Sequence, residues 1–291
     1  MTSPSIGTPP PSTQANGQTL RLGCVSYLNT LPLIEGLQVT QHLELRPAPP
    51  ARLIDMLLDD SEGGVDAALV SLIDYQRSPE PLTLIPVGMI ASPAETHTVR
   101  LFSRTPIGEI RTLCCDAESH TSVALARIIL AERYGITPAI RPIQWGSSES
   151  KSCDAVLLIG DKVAGRAPAR DDYPHQLDLG ASWREMTGLP FVYAVWMCRA
   201  RDEENQSIRS LVSLLDRTRR HNTTRLGWIA NTRAGAHKWE PSEARRYLQD
   251  LLAFEVTDDA RAAVDRFFDL AHAHKLIDHK REVRWLSAPG A

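Results

Sequence analysis

The chain of 291 residues is 43% hydrophobic and 23% charged, which is ordinary for a globular protein and allows one large domain or two smaller ones. Its formal net charge of −3 is unlike the basic composition of nucleic-acid-binding proteins. No run approaches the roughly 18 apolar residues of a membrane-spanning helix, so neither nucleic acid nor a membrane is an expected partner.

The first 19 residues are predicted to form a disordered tail, because Pro, Ser, Thr and Gly dominate them. They have neither the basic start nor the apolar segment of a secretory signal. The five cysteines show no CxxC spacing and no zinc-ligand spacing with histidine. We therefore expect reduced thiols, a cytoplasmic location, no metal and no cofactor.

Strand-like and helix-like segments alternate along the rest of the chain. The predicted strands are 21–26, 65–70, 84–90, 98–103, 111–115, 154–159 and 191–198. The predicted helices are 51–63, 122–135, 204–221, 241–253 and 258–275. This alternation predicts an α/β fold with a mostly parallel sheet.

Ligands bind to such sheets beyond the carboxyl ends of the strands. Four loops at predicted strand ends carry hydroxyl, amide or carboxylate groups, and they are 26–30, 71–75, 116–122 and 160–162. The third also begins a helix, whose N-terminus offers N–H groups and the positive end of a dipole to a carboxylate.

The first loop belongs to VSYLNTLPLIEGL (25–37), which resembles a signature of the chorismate dehydratases of the futalosine route to menaquinone. Four later blocks resemble the same family in the same order. They are VDAALVSLIDY (65–75), DAESHTSVALARIILAERYGI (116–136), DAVLLIGD (154–161) and LDLGASWREMTGLPFVYAVW (177–196). The resemblance covers roughly residues 20 to 285.

The resemblance implies an α/β, two-lobed fold like that of type II periplasmic binding proteins, with the ligand cleft between the lobes. Lobe I would comprise 20–103 and the mostly helical return 198–285, lobe II would comprise 104–197, and 286–291 would form a second tail. Pro106 and the turn Gly188–Pro190 are the expected hinges. A ligand site of this kind usually encloses a few hundred cubic ångströms.

The family's reaction removes water from chorismate, a small dicarboxylate, to give 3-enolpyruvylbenzoate, so the implied activity is that of a hydro-lyase. The related dihydroxynaphthoate synthases share the fold but begin with a different first loop. A small-anion solute-binding protein and a transcription-regulator effector domain are further alternatives on the same fold. No DNA-binding helix pair precedes residue 20, and the sequence indicates no oligomeric state.

Asn29 and Thr98 are the catalytic residues that the resemblance implies. Asn29 could orient a carboxylate or the leaving hydroxyl, or it could cap the helix after Thr30. Thr98 stands where family members have a serine, and threonine is also routine in a strand. In one mechanism consistent with the family, the substrate's enolpyruvyl carboxylate takes the ring proton while Asn29 and Thr98 hold it.

The predicted substrate-binding residues come from all four loops. For the hydroxyls at 119–122, plain helix capping is the alternative, and capping needs a single hydroxyl. Asp161 could accept from the departing hydroxyl, act as a base or cap a helix. The full set is Ser26, Tyr27, Ser71, Ser119, Thr121, Ser122, Gly160 and Asp161.

His97 and His120 stand where the family has arginine, so titratable groups replace two cations. This replacement weakens the expected electrostatic attraction for carboxylates. Either histidine could instead be a solvated surface residue.

Overall fold

The computed structural model describes residues 19–116, 119–143 and 152–287. These residues form two five-stranded sheets with helices packed against them. The predicted tail 1–19 lies outside the described residues except for Thr19, and so does 288–291 of the second predicted tail.

Ten strands build the two sheets of the described ranges. The first sheet has the order β2-β1-β3-β10-β4 and the second has the order β7-β6-β8-β5-β9. The strands are β1 (Leu20–Cys24), β2 (Leu43–Pro47), β3 (Ala67–Ser71), β4 (Leu82–Ser92), β5 (Val99–Ser103), β6 (Thr112–Asp116), β7 (Ala139–Ile143), β8 (Ala155–Ile159), β9 (His175–Asp178) and β10 (Phe191–Arg199).

Each sheet is mixed rather than mostly parallel, which corrects the prediction from alternating elements. In the first sheet β10 is antiparallel to β3 and β4, and in the second β5 is antiparallel to β8 and β9. The reason is that β5 and β10 enter from the opposite sheet, whereas parallel neighbours need a crossover within their own sheet.

The helices of the described ranges lie mainly on the outer faces of the sheets and in the C-terminal third. The α-helices are α1 (Leu31–Ile34), α2 (Pro50–Leu58), α3 (Asp74–Arg77), α4 (His120–Tyr134), α5 (Asp161–Arg166), α6 (Leu179–Thr187), α7 (Gln206–Thr223), α8 (Leu226–Arg233), α9 (Pro241–Arg246) and α10 (Asp258–Ala273). A π-helical turn, Tyr247–Leu251, follows α9 directly. The 3₁₀ turns are Leu28–Thr30, Leu37–Val39, Ile107–Glu109, Ala200–Asp202 and Ala234–His237.

The chain passes between the sheets at two points. It leaves the first sheet after β4 and returns to it after α6, so the passages lie between 92 and 99 and between 187 and 191. Both precede the predicted boundaries at 103 and 198, because β5 belongs to the second sheet and β10 to the first. Gly188 lies in the return passage with φ +72°, whereas Pro106 lies beyond β5.

Aromatic side chains fix β10 against the helices behind it. Phe191 makes edge-to-face contacts with Trp183, Tyr193 and Phe267, with ring centroids 4.8–5.1 Å apart. Such pairs favour one arrangement of the rings. The packing holds β10 against α6 and α10.

The end of the described chain is packed rather than free. Leu286, which the prediction places in a tail, is 8% exposed. Its N–H donates to the carbonyl of Leu84 at 2.8 Å, and the Leu84 N–H donates to the carbonyl of Arg284 at 2.9 Å. The segment therefore extends the edge of the first sheet beside β4.

The cysteines correct the expectation of reduced thiols at two positions. Cys114 and Cys153 form a disulfide with their Cα atoms 5.8 Å apart. The pairing is possible because β6, which contains Cys114, lies beside β8, which begins two residues after Cys153. Cys24, Cys115 and Cys198 lie outside this disulfide and are buried, and burial raises the pKa of the Cys24 thiol to about 11.

No helix within the described ranges has both the length and the apolar character needed to cross a membrane.

Candidate active site

A cavity lies where the carboxyl ends of the parallel strands of both sheets face each other. Its walls come from the loops after β1, β6 and β8, from the carboxyl end of β3, from the passage before β5, from β10 and from the π-helical turn. The centres of water-sized molecules could occupy about 60 Å³ of it. This volume is smaller than the predicted few hundred cubic ångströms.

The loop after β1 places two predicted residues in the cavity wall, Tyr27 and Asn29. The Asn29 amide Nδ2 donates to the hydroxyl of Tyr247 at 3.2 Å, and the Thr30 hydroxyl donates to Asn29 Oδ1 at 3.4 Å. Neither the turn Leu28–Thr30 nor α1 has a side-chain cap. Asn29 therefore does not act as the helix cap that was the alternative interpretation.

Thr98 lies immediately before β5 and is 1% exposed. Its Oγ1 is 2.7 Å from the Tyr247 hydroxyl, and its carbonyl accepts from the Gly160 N–H at 2.9 Å. The Thr98 side chain lines the cavity together with Asn29. The two predicted catalytic residues thus face the same space and share one partner.

The N-terminus of α4 presents two of its three predicted hydroxyls to the cavity, Ser119 and Ser122. The Ser119 hydroxyl caps the helix by accepting from the Ser122 N–H at 3.3 Å, and it donates to the Ser122 hydroxyl at 2.9 Å. Thr121 is not in the wall, since its hydroxyl accepts from the Ile73 N–H at 3.1 Å. Ser119 therefore both caps α4 and lines the cavity.

Ser71 and Gly160 also line the cavity, as predicted for the loops after β3 and β8. Gly160 has φ +62° and ψ −148°, a conformation that is essentially restricted to glycine. A Cβ atom at this position would lie 3.1 Å from two carbons of the Tyr27 ring. The glycine therefore lets the ring of one lobe rest on the backbone of the other.

Replacing Gly160 tests this contact. We expect Gly160→Ala to lower the free energy of unfolding by about 1–3 kcal/mol and to raise KM, because the strained backbone and the displaced Tyr27 ring both disturb the cavity. Gly135→Ala is the matched control, since Gly135 has φ +67° with nothing within 4 Å of the added Cβ. An unchanged KM in Gly160→Ala would contradict the assigned contact.

Besides Thr121, two further predicted residues, Ser26 and Asp161, are not among those that line the cavity. Ser26 is exposed and lines a neighbouring groove with Pro47 and Lys162. The Asp161 carboxylate accepts from the Trp239 indole N–H at 2.9 Å and from the Leu28 N–H at 3.3 Å. It therefore bridges the lobes, and it makes neither the helix cap nor the direct cavity contact that were considered.

The two histidines that replace family arginines also lie outside the cavity wall. The His97 N–H donates to Asp178 at 2.8 Å, and its ring centroid is 6.1 Å from that of Trp239. His120 Nδ1 is 2.8 Å from both oxygens of buried Asp74. The hydrogen bond to Asp74 raises the pKa of His120.

The His120–Asp74 pair predicts a pH dependence of stability. Because the folded-state pKa is raised, the pair stabilises the protein fully below the unfolded pKa of about 6.5, and this contribution is lost as pH rises through the folded pKa. We expect the wild type to melt at a higher temperature than His120→Gln. This difference in melting temperature should be larger at about pH 5.5 than at about pH 9. An equal difference at both pH values would contradict the prediction.

Three lining residues with polar side chains were not predicted, namely Thr96, Tyr193 and Tyr247. Tyr193 lies in the predicted strand FVYAVWMC, whose apolar run indicates packing alone. Tyr247 lies in a predicted helix and is 1% exposed, and burial raises the pKa of its hydroxyl. It therefore remains a neutral hydrogen-bonding group near pH 7, and no local sequence pattern indicates its position.

The described residues that line the cavity carry no charged side chain. Their polar groups are hydroxyls, one amide and backbone groups, and the positive end of the α4 dipole points toward them. Within the described ranges, no three metal-binding side chains are grouped together. Such a wall can hold anions and stabilise charge that moves within a substrate.

Solved structures show that the fold is shared widely. Protein AF1704 from Archaeoglobus fulgidus superposes with a TM-score of 0.66 at 12% identity over 91% of this chain and 100% of its own. The Candida albicans CA3427 gene product, which has the generic periplasmic binding protein fold, gives 0.67 at 11% identity over 94% and 98%. These likenesses confirm the two-lobed α/β fold.

Sequence comparison identifies the family. A chorismate dehydratase of Thermus thermophilus is 32% identical over 241 residues, which cover 78% of this chain and 86% of that protein. The model of the menaquinone biosynthesis family matches residues 20–273. The chain therefore belongs to the menaquinone biosynthesis family.

Proposed function

We propose that the protein is a chorismate dehydratase, a hydro-lyase that converts chorismate into 3-enolpyruvylbenzoate and water. The observation that carries the proposal is that Asn29 and Thr98 line one cavity and both contact the Tyr247 hydroxyl, at positions where the family resemblance implies the catalytic residues. The described residues that line this cavity are uncharged. The similarity to the Thermus thermophilus chorismate dehydratase supports the same activity. The proposal includes a cytoplasmic location.

The substrate is a dianion, and the wall offers places for its carboxylates. One carboxylate is proposed to lie at the N-terminus of α4, where Ser119 and Ser122 present hydroxyls to the cavity and the helix dipole is positive. The enolpyruvyl carboxylate is proposed to lie between Asn29 and Thr98. Neutral donors then hold the negative charge without a cationic side chain in the described wall.

The proposed chemistry breaks one C–H bond and one C–O bond of the ring. The enolpyruvyl carboxylate of the substrate takes the ring proton, the C–H electrons form the new ring double bond, and the hydroxyl leaves with the C–O electrons. The proton and the hydroxide leave together as water. Aromatisation drives the reaction, so positioning by Asn29 and Thr98 supplies the main catalytic contribution.

Substrate entry is proposed to involve separation of the lobes, since the cavity has about 60 Å³ for the centres of water-sized molecules. The contacts that must break lie between the loop after β1 and the second lobe. They include the hydrogen bond from the Leu28 N–H to the Asp161 carboxylate and the packing of the Tyr27 ring on the Gly160 backbone. Lobe closure over the substrate then excludes water from the reacting groups.

The assay that tests this function is incubation of the purified protein with chorismate, followed by product identification. We expect a product that is lighter by one water and that shows the aromatic proton resonances of 3-enolpyruvylbenzoate. Chorismate that is bound but recovered unchanged would favour the solute-binding alternative. Chorismate that is neither bound nor converted would exclude both.

A further inference from the structure

We propose that Tyr247 is a positioning residue that sets the orientation of both Asn29 and Thr98. Its hydroxyl is 2.7 Å from Thr98 Oγ1 and accepts from Asn29 Nδ2 at 3.2 Å. The part of this inference that concerns turnover rests on the proposed dehydration. The positioning itself is a property of the folded protein.

The hydrogen-bonding capacity of each group permits a network in which Tyr247 donates to Thr98. A tyrosine hydroxyl has one proton, and an amide NH₂ can only donate. Because Asn29 Nδ2 donates to the Tyr247 oxygen, the Tyr247 proton is available for Thr98. The Thr98 hydroxyl can then donate its own proton to a ligand. The Thr96 carbonyl, which could also accept that proton, is 3.5 Å from Thr98 Oγ1 and therefore competes weakly.

The ring of Tyr247 is held so that its hydroxyl has little freedom. The ring stacks on Trp239 with centroids 4.9 Å apart and an interplanar angle of 10°. The Trp239 indole N–H is in turn bonded to Asp161 at 2.9 Å. Burial keeps the Tyr247 hydroxyl protonated, because it raises the pKa of that group.

The position of Tyr247 in the fold explains why both residues need it. Asn29 lies in the loop after the first strand of the first sheet, and Thr98 lies immediately before the first strand of the second. Tyr247 is 218 residues from Asn29 and 149 from Thr98 in sequence. One hydroxyl therefore fixes the spacing of two groups that different lobes supply.

The variant Tyr247→Phe removes the hydroxyl and keeps the ring. The matched control is Tyr75→Phe, because Tyr75 is also buried and its hydroxyl also makes two bonds, donating to the Glu282 carbonyl and accepting from the Arg284 N–H, both at 2.8 Å. Tyr75 is not among the residues that line the cavity. Each variant therefore loses two hydrogen bonds of a buried tyrosine hydroxyl, in Tyr247→Phe at the cavity and in Tyr75→Phe away from it.

We expect kcat for chorismate to fall about tenfold in Tyr247→Phe with a smaller change in KM, because the variant loses the two neutral hydrogen bonds to Asn29 and Thr98. We expect Tyr75→Phe to keep the wild-type kcat and to melt at a lower temperature. Normal kcat in Tyr247→Phe, or an equal fall in both variants, would overturn the positioning role.

A second readout does not depend on turnover. The side-chain amide resonance of Asn29, identified by its loss in Asn29→Ala, should shift in the ¹⁵N-labelled Tyr247→Phe protein and stay in place in Tyr75→Phe. An unshifted resonance would overturn the inference even in an active enzyme. If the wild type leaves chorismate intact, the proposed function fails, and this resonance still decides the role of Tyr247.

Discussion

Replacing Asn29 with alanine is expected to lower kcat about 10²–10³-fold, the typical cost of losing one donor that stabilises moving charge. KM should change little, and the melting temperature should fall modestly because the Tyr247 and Thr30 hydroxyls each lose one hydrogen-bond partner. The Asn29 amide donates to Tyr247 and caps no helix, so its removal leaves the backbone of the turn satisfied. Steady-state kinetics and thermal unfolding of the variant measure both quantities.

Asn222→Ala is the matched control for Asn29→Ala. Asn222 is fully buried, its amide donates to the Glu35 carbonyl at 2.9 Å, and it does not line the cavity. Its loss should destabilise the protein by about 1–3 kcal/mol and leave kcat intact. If Asn29→Ala behaved like Asn222→Ala, the polar turn after β1 would be structural and the catalytic assignment would fail.

Replacing Thr98 with valine is expected to lower kcat about 10²-fold, because it removes the hydroxyl that faces the cavity and keeps the branched shape. Thr98→Ser is the matched control, since serine keeps the hydroxyl and is the residue expected from the family. We expect Thr98→Ser to stay within a few-fold of wild type. Both variants are to be compared in steady-state kinetics with chorismate.

The valine variant carries one structural cost that must be separated from catalysis. The Thr98 hydroxyl is 2.7 Å from the buried Tyr247 hydroxyl, so valine leaves Tyr247 with one partner fewer. Thermal unfolding measures that cost independently of turnover. A valine variant with full turnover would contradict the role of Thr98, whatever its stability.

Four of the predicted site residues that line the cavity follow from one local rule. Tyr27, Ser119 and Gly160 lie just beyond the carboxyl ends of strands with parallel neighbours, and Ser71 is the last residue of such a strand. Strand ends can be read from local pattern, and parallel neighbours bring those ends together. The rule therefore identifies the loops that surround the cavity without information about the rest of the fold.

The same rule fails for individual side chains within a loop. Ser119 and Ser122 are three residues apart and share one face at the start of α4, whereas Thr121 points toward Ile73. Asp161 is adjacent to Gly160, yet its carboxylate binds Trp239 and Leu28. Belonging to one of these loops predicts that a residue lies near the cavity, whereas the local backbone geometry decides where its side chain points.

Distant contacts and short strands could not be predicted. Tyr247 meets Asn29 across 218 residues of sequence, and a helical pattern does not reveal such a partner. The strands β2, β7 and β9 lie at the edges of their sheets and are mostly exposed or half-buried, so they lack a strong apolar signal. Pro142 within β7 weakens that signal further.

The most direct measurement of the central claim is a crystal structure of Asn29→Ala soaked with chorismate, since the slow variant should retain the substrate. The account predicts intact chorismate in the cavity between the sheets, with one carboxylate at Ser119 and Ser122 and the enolpyruvyl carboxylate beside Thr98. Chorismate bound elsewhere on the protein, or a cavity that stays empty at saturating chorismate, would contradict it.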